Sequence, residues 1–134
     1  MVFWLLKTEP QDFSWSDMVK YQVTVWDNVK NYQAQNYMKK MKKGDLAFFY
    51  HTGKEKCIVG IVEIYKESYY NNDSRFSVID IKIYCALNKK VYLHEIKSNQ
   101  HLQNMTILKQ SRLSVSPVTL NEWKVILETS GTTL

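Results

Sequence analysis

Glycine is scarce in this chain, 4 in 134 residues, and proline scarcer still, with 2. So few glycines leave little material for a phosphate-cradling loop, and neither that motif nor a Gly-x-Ser-x-Gly nucleophile elbow occurs. The 2 cysteines, Cys57 and Cys85, lie far apart among β-branched and aromatic neighbours, and His51, His94 and His101 stand singly. Ligand pairs at metal-binding spacing are therefore missing, and the thiols are expected as buried free cysteines, with no metal and no cofactor. Apolar runs such as Leu46 to Tyr50 fall far short of the ~20 residues a membrane-spanning helix needs, so no membrane partner is expected. The start, Met-Val-Phe-Trp-Leu-Leu-Lys, lacks a charged leader and a small-residue cleavage site, which predicts a first strand in a cytoplasmic protein.

What is present is ordinary in amount and unusual in arrangement. Apolar residues make up 45% and charged residues 23%, enough for one packed domain over residues 1–134 and too apolar for disorder. The net charge of +5 favours a polyanionic partner. Several of the 9 tyrosines and 4 tryptophans sit beside Asn, Gln or Lys, a mixture suited to base stacking.

Periodicity gives the elements. Val2 to Lys7 reads as a buried strand ended by Glu9-Pro10, and Ser14 as the N-cap of a short helix to about Tyr21, with Asp17 in capping-box position. Val23 to Trp26 is extended, Asp27-Asn28 begins a turn, and a second helix covers roughly residues 31–41. Leu46 to His51 and Cys57 to Lys66 form a hairpin across Thr52 to Lys56. After a polar loop over residues 70–74 comes an alternating strand from Phe76 to Leu87. Helical spacing marks Leu93 to Gln103 and Thr119 to Thr129, the latter with Thr119 and Glu122 as a capping box. Arg112 to Val115 reads as a closing strand stopped at Pro117. Hairpin-length connections predict an α+β fold with a mixed, mostly antiparallel sheet or open barrel and peripheral helices, and disfavour a doubly wound parallel sheet.

The segment from Trp26 to Asn36 crowds a tryptophan, a tyrosine, lysine and several amides around a turn and a helix start, a set able to stack on a base, read its edge and hold its phosphate. The plainer alternative makes Trp26 and Tyr32 core residues and the amides helix caps. Lys7-Thr8-Glu9-Pro10 and Phe48-Phe49-Tyr50-His51-Thr52 each put polar groups at the end of an apolar strand, so adjacent strands would form a pocket at one rim of the sheet. Arg112 adds a guanidinium for a phosphate or a carboxylate, an ion pair with Glu9 being the structural alternative.

In order along the chain, Trp4-Leu5-Leu6-Lys7-Thr8-Glu9-Pro10, Ser14-Trp15, Trp26-Asp27, Asn31-Tyr32-Gln33-Ala34 with Asn36, Gly44-Asp45-Leu46-Ala47-Phe48-Phe49-Tyr50-His51, Val59-Gly60-Ile61 and Gln110-Ser111-Arg112-Leu113-Ser114-Val115 resemble the EVE domain family of the PUA-like superfamily. The resemblance implies a pseudo-barrel of five or six strands flanked by helices. It also implies binding of DNA or RNA carrying a methylated or hydroxymethylated base, with a partner effector protein possible. Lys30 and Gln35 stand where the family commonly has arginine, and Asn28 where it commonly has glycine.

On that basis the expected base pocket comprises Thr8, Glu9, Trp26, Asn31, Tyr50 and His51, with Trp26 and Tyr50 as aromatic faces and Asn31, Glu9 and His51 reading the base edge. Lys7, Lys30, Tyr32, Arg112 and Ser114 are expected to serve the nucleic-acid backbone. No catalytic set accompanies these words, so the chain is expected not to be an enzyme. The rivals are a protein-interaction module and a small hydrolase using His51 with Glu9 or Cys57.

Overall fold

The computed structural model describes residues 2–72 and 75–134. Its frame is a six-stranded sheet in the order β2-β5-β4-β3-β1-β6, built from β1 (Phe3–Thr8), β2 (Val23–Trp26), β3 (Leu46–His51), β4 (Cys57–Tyr69), β5 (Val78–Tyr92) and β6 (Val115–Val118). Among the described residues only β1 and β3 run parallel, with Lys7 opposite Tyr50 and Thr8 opposite His51, and every other pair is antiparallel. The helices are α1 (Trp15–Tyr21), α2 (Tyr32–Lys40), α3 (Leu93–Ser98), α4 (Thr106–Lys109) and α5 (Leu120–Ser130).

Residues 46–50 of β3 and 57–62 of β4 are apolar without interruption because both of their faces are covered, and all six residues of β3 are buried. Side-chain alternation sends Trp4, Leu6, Ala47 and Phe49 into one core with Met18, Trp26 and Met38. Leu5, Phe48 and Tyr50 enter a second core with Ile58, Ile96, Trp123 and Ile126. Trp123 closes the second core, stacking on Phe3 at 4.3 Å and on Phe48 at 4.0 Å between ring centroids. In the first core Trp15 lies flat against Gly60, where any Cβ would fall within 2.3 Å of the indole, so that strand position admits only glycine.

Both strong capping boxes form as the sequence predicts. Ser14 accepts from Asp17 N while the Asp17 carboxylate accepts from Ser14 N, and Thr119 and Glu122 do the same for α5. Three expectations differ. The closing strand is Val115–Val118 and contains Pro117; β6 is an edge strand paired only to β1, so proline's missing donor costs no ladder bond there, and Arg112 lies in the preceding turn. The helix expected over 93–103 stops at Ser98, because Gln103 Nε2 turns back to donate to Lys97 O and Asn99 O and satisfies its final carbonyls. The later apolar residues Leu102 and Met105 reach the second core from turns, followed by the unanticipated α4. Strand β5 runs past Leu87 to Tyr92 because Val91 and Tyr92 pair with Ile58 and Cys57. Of the expected polar loop at 70–74, residues 73 and 74 lie outside the described residues.

Candidate nucleic-acid site

Where β1 runs out, Thr8 and Glu9 enter a tight turn, with Asp12 N and Phe13 N both donating to Glu9 O. Across from it β2 ends at Trp26 and the chain turns through Asp27 and Asn28. Asn28 holds φ at 62°, the left-handed region that asparagine tolerates better than other side-chain-bearing residues, which explains how it stands where glycine is common. Between the two turns lies a cavity of about 410 Å³ lined by Lys7, Thr8, Glu9, Asp12, Phe13, Thr24, Val25, Trp26, Asp27, Asn28, Val29 and Ser114. That size falls within the range of small-ligand sites.

Three of the six residues expected in the base pocket meet here. Trp26 is 7% exposed and packs edge-on against Phe13 and Phe49, so only a small part of its ring reaches the cavity. Thr8 Oγ1 donates to Phe13 O at 2.9 Å and fixes the turn. Glu9 Oε2 accepts from Thr52 Oγ1 at 3.2 Å, and its carboxylate rests against Gly53, whose φ of 75° belongs to the β3–β4 turn. Thr52, not Arg112, is thus the partner of Glu9.

Tyr50, Asn31 and His51 are placed elsewhere. Tyr50 points to the opposite face of the sheet, one residue out of phase with Phe49, and lies in the second core; burial there, reinforced by the Cys57 thiol, pushes its phenol up to about 12. Asn31 is the N-cap of α2, its Oδ1 accepting from Ala34 N at 3.0 Å, as the helix-cap alternative has it. His51 is buried with both ring nitrogens engaged. Nε2 accepts from Trp15 N at 3.0 Å, so Nδ1 carries the hydrogen and donates to Glu55 Oε1 at 2.8 Å. A ring so held ties the start of α1 to β3 and offers no free edge to a base.

Of the residues expected at the nucleic-acid backbone, Lys7 and Ser114 reach the cavity and Lys30, Tyr32 and Arg112 lie at other depressions. Lys7 and Ser114 line it, although the Lys7 ammonium is turned to donate to Ser111 O at 2.8 Å and burial lowers its pKa. Lys30 borders a smaller depression of about 220 Å³ with Asn71, Asn72 and Phe76, sharing the wall Asp27 to Val29 with the main cavity. Arg112 and Asn31 line an open groove with Gln33, Lys109 and Gln110. Tyr32, at the start of α2, is 70% exposed and leans on Phe76. A larger depression of about 600 Å³ between the α3–α4 connection and α5 holds none of the expected residues.

Two contributors were not among the expected site residues. Phe13 was legible only as a lone aromatic in a polar turn. Gln35 is 2% exposed, with Nε2 donating to Val29 O at 2.7 Å and Ser77 O at 2.9 Å while Oε1 accepts from Ser77 N at 3.0 Å and Ser77 Oγ at 2.8 Å. Where the family commonly carries an arginine, this glutamine clamps the cavity wall to the start of β5.

A family model described as the EVE domain matches residues 2–129. The chain is 35% identical to thymocyte nuclear protein 1 of Gallus gallus over 92% of its own length and 66% of that protein's. It therefore spans slightly under two thirds of that relative. Among solved structures, a protein from Agrobacterium tumefaciens superposes with a TM-score of 0.95 at 36% identity, over 98% of this chain and 94% of that one. The human THYN1 protein in complex with 5-methylcytosine-containing DNA superposes with a TM-score of 0.92 at 30% identity over 100% of both chains. The name of the curated relatives is nuclear, which overturns the cytoplasmic expectation. Short apolar runs are shared by nuclear proteins, so they never favoured the cytoplasm.

Proposed function

The chain belongs to the EVE domain family, and we propose that it is a DNA-binding reader of methylated cytosine that takes the flipped base into the cavity between the ends of β1 and β2. The observation that carries this reading is that cavity, present in a fold which superposes along its whole length on a relative bound to 5-methylcytosine DNA.

A base inside a duplex cannot present its edge to such a cavity, so it leaves the stack at a cost of a few kcal/mol. Contact with the apolar wall of Phe13, Val25, Trp26 and Val29 offsets that cost, an effective aromatic platform contributing ~1–3 kcal/mol. The 5-methyl group is sensed by apolar contact, which limits discrimination against unmodified cytosine to ~1–3 kcal/mol. Lys30 is exposed in the depression that shares the Asp27 to Val29 wall, and Lys109 and Arg112 are exposed in the groove beside Ser111; these cations neutralise phosphates, so affinity falls as salt rises. The domain acts by occupancy, without turnover: His51, the side chain best suited to proton transfer, has both nitrogens committed within the fold.

Equilibrium binding to duplexes that differ at one position (cytosine, 5-methylcytosine, 5-hydroxymethylcytosine), and to RNA of the same sequence, tests the reading at two salt concentrations. A salt-sensitive preference for a modified cytosine in DNA that Trp26→Phe weakens supports it. Equal affinity for every base, unchanged by Trp26→Phe, rejects it.

A further inference from the structure

The cavity has the opposite charge from the protein that contains it. The chain carries +5, yet the cavity lining contributes Glu9, Asp12 and Asp27 against Lys7 alone, and the Lys7 ammonium donates to Ser111 O. The basic side chains Lys30, Lys109 and Arg112 line the neighbouring depression and groove. A phosphate is therefore repelled from the interior and attracted to the rim, and the interior favours a group rich in hydrogen-bond donors.

Glu9 is the carboxylate built to meet such a group. It is half-buried while Asp12 and Asp27 are exposed, and it is fixed at two points, by the Thr52 hydroxyl on Oε2 and by the bare Cα of Gly53 beneath it. A carboxylate offers about four acceptor positions and no donor, and Thr52 takes one of them. Cytosine carries an exocyclic amine at C4, whereas thymine carries a carbonyl oxygen there. 5-Methylcytosine and thymine have nearly the same shape, methyl included, so an apolar wall cannot tell them apart; a fixed acceptor can.

Resting on the reader function proposed above, we infer that Glu9 is a specificity-determining residue that selects an amino-bearing base and rejects thymine, the carbonyl counterpart of 5-methylcytosine, even though both present the same methyl group. The N4 amine donates to the Glu9 carboxylate. For thymine, O4 faces that carboxylate acceptor to acceptor, leaving O4 and the carboxylate oxygen that Thr52 does not hold without a donor in a half-buried place.

The experiment is fluorescence anisotropy with duplexes carrying cytosine, 5-methylcytosine, uracil or thymine opposite an abasic site, so that no variant pays an unpairing cost the others escape. The wild-type protein is expected to bind 5-methylcytosine at least about tenfold more tightly than thymine. Glu9→Gln keeps an oxygen for Thr52 and gains an amide donor for O4, so the ratio should shrink to within about twofold while the melting temperature holds. If wild type binds 5-methylcytosine and thymine equally but both more tightly than cytosine and uracil, the methyl is read without the amine: the inference fails and the reader function stands. An unchanged ratio in Glu9→Gln also overturns it, even if both affinities drop, because Glu9 would then only support the turn. Equal binding of all four bases removes the reader function itself.

Discussion

The two faces of the sheet start from the same apolar alternation and end differently. On one face Leu5, Phe48 and Tyr50 are sealed by Trp123, Ile126 and Ile96 into a closed core, with the Lys7 ammonium lying over the Tyr50 ring at its edge. On the other, Leu6 is followed by Thr8 and Phe49 by His51, polar residues at the same level of two paired strands. There the core ends and the cavity begins, lined by Thr8 but not by His51, which is drawn away to cap α1. A site of this kind needs both halves. One face supplies a rigid back, and the other ends in the polar pair Thr8 and His51, of which only Thr8 faces the cavity.

The strongest way to separate the halves is to damage the closed face. Trp123→Ala removes the ring that stacks on Phe3 and Phe48 and should cost ~3–5 kcal/mol in urea unfolding, while the fraction still folded at low temperature keeps its affinity for 5-methylcytosine DNA within about twofold. Gln35→Ala does the reverse. It strips the buried partners of Val29 O and Ser77, costing ~1–3 kcal/mol, but frees the Asp27 to Val29 wall, so affinity should fall at least tenfold as measured by titration with the same DNA.

Alkaline pH reports on the closed face through the difference between Tyr50→Phe and wild type. The Tyr50 phenol is raised from 10 to about 12 by burial, so the folded state holds its proton where the unfolded chain releases it. The stabilisation is complete below pH 10 and disappears as pH rises toward 12, a loss of ~2–3 kcal/mol. Unfolding curves of Tyr50→Phe and wild type should coincide near pH 8, with the wild type losing more stability across that window. The smallest effect belongs to the rim. Lys30→Ala and Arg112→Ala should each lower affinity a few-fold for methylated and unmethylated DNA alike, and each reduce the slope of log affinity against log salt by about 1.

Local rules were legible in the sequence and tertiary ones were not. The β3–β4 hairpin, the Ser14 and Thr119 capping boxes and the start of α2 follow from residues within a few positions of each other, and the structure has them all. Pro117 ended a strand in the reading because edge status is invisible locally, yet it sits inside β6. Thr8, Glu9 and Trp26 meet as expected at the cavity because each lies at a strand end on the same side of the sheet. Tyr50 does not, although alternation alone predicts that adjacent residues of a strand face opposite ways. His51 was drawn off by a partner 36 positions away, the Trp15 amide, which no local pattern announces.

The most direct measurement is a backbone amide chemical-shift titration of the protein with a duplex holding a single 5-methylcytosine, compared with its unmethylated twin. If the cavity between β1 and β2 receives the base, amides of residues 8–13 and 24–29 shift with the methylated duplex and much less with the other, while those around Trp123 stay still. Methyl-dependent shifts concentrated instead around Asn99, His101, Lys124 and Glu128, at the larger depression beside α5, would place the site on the wrong face and contradict it.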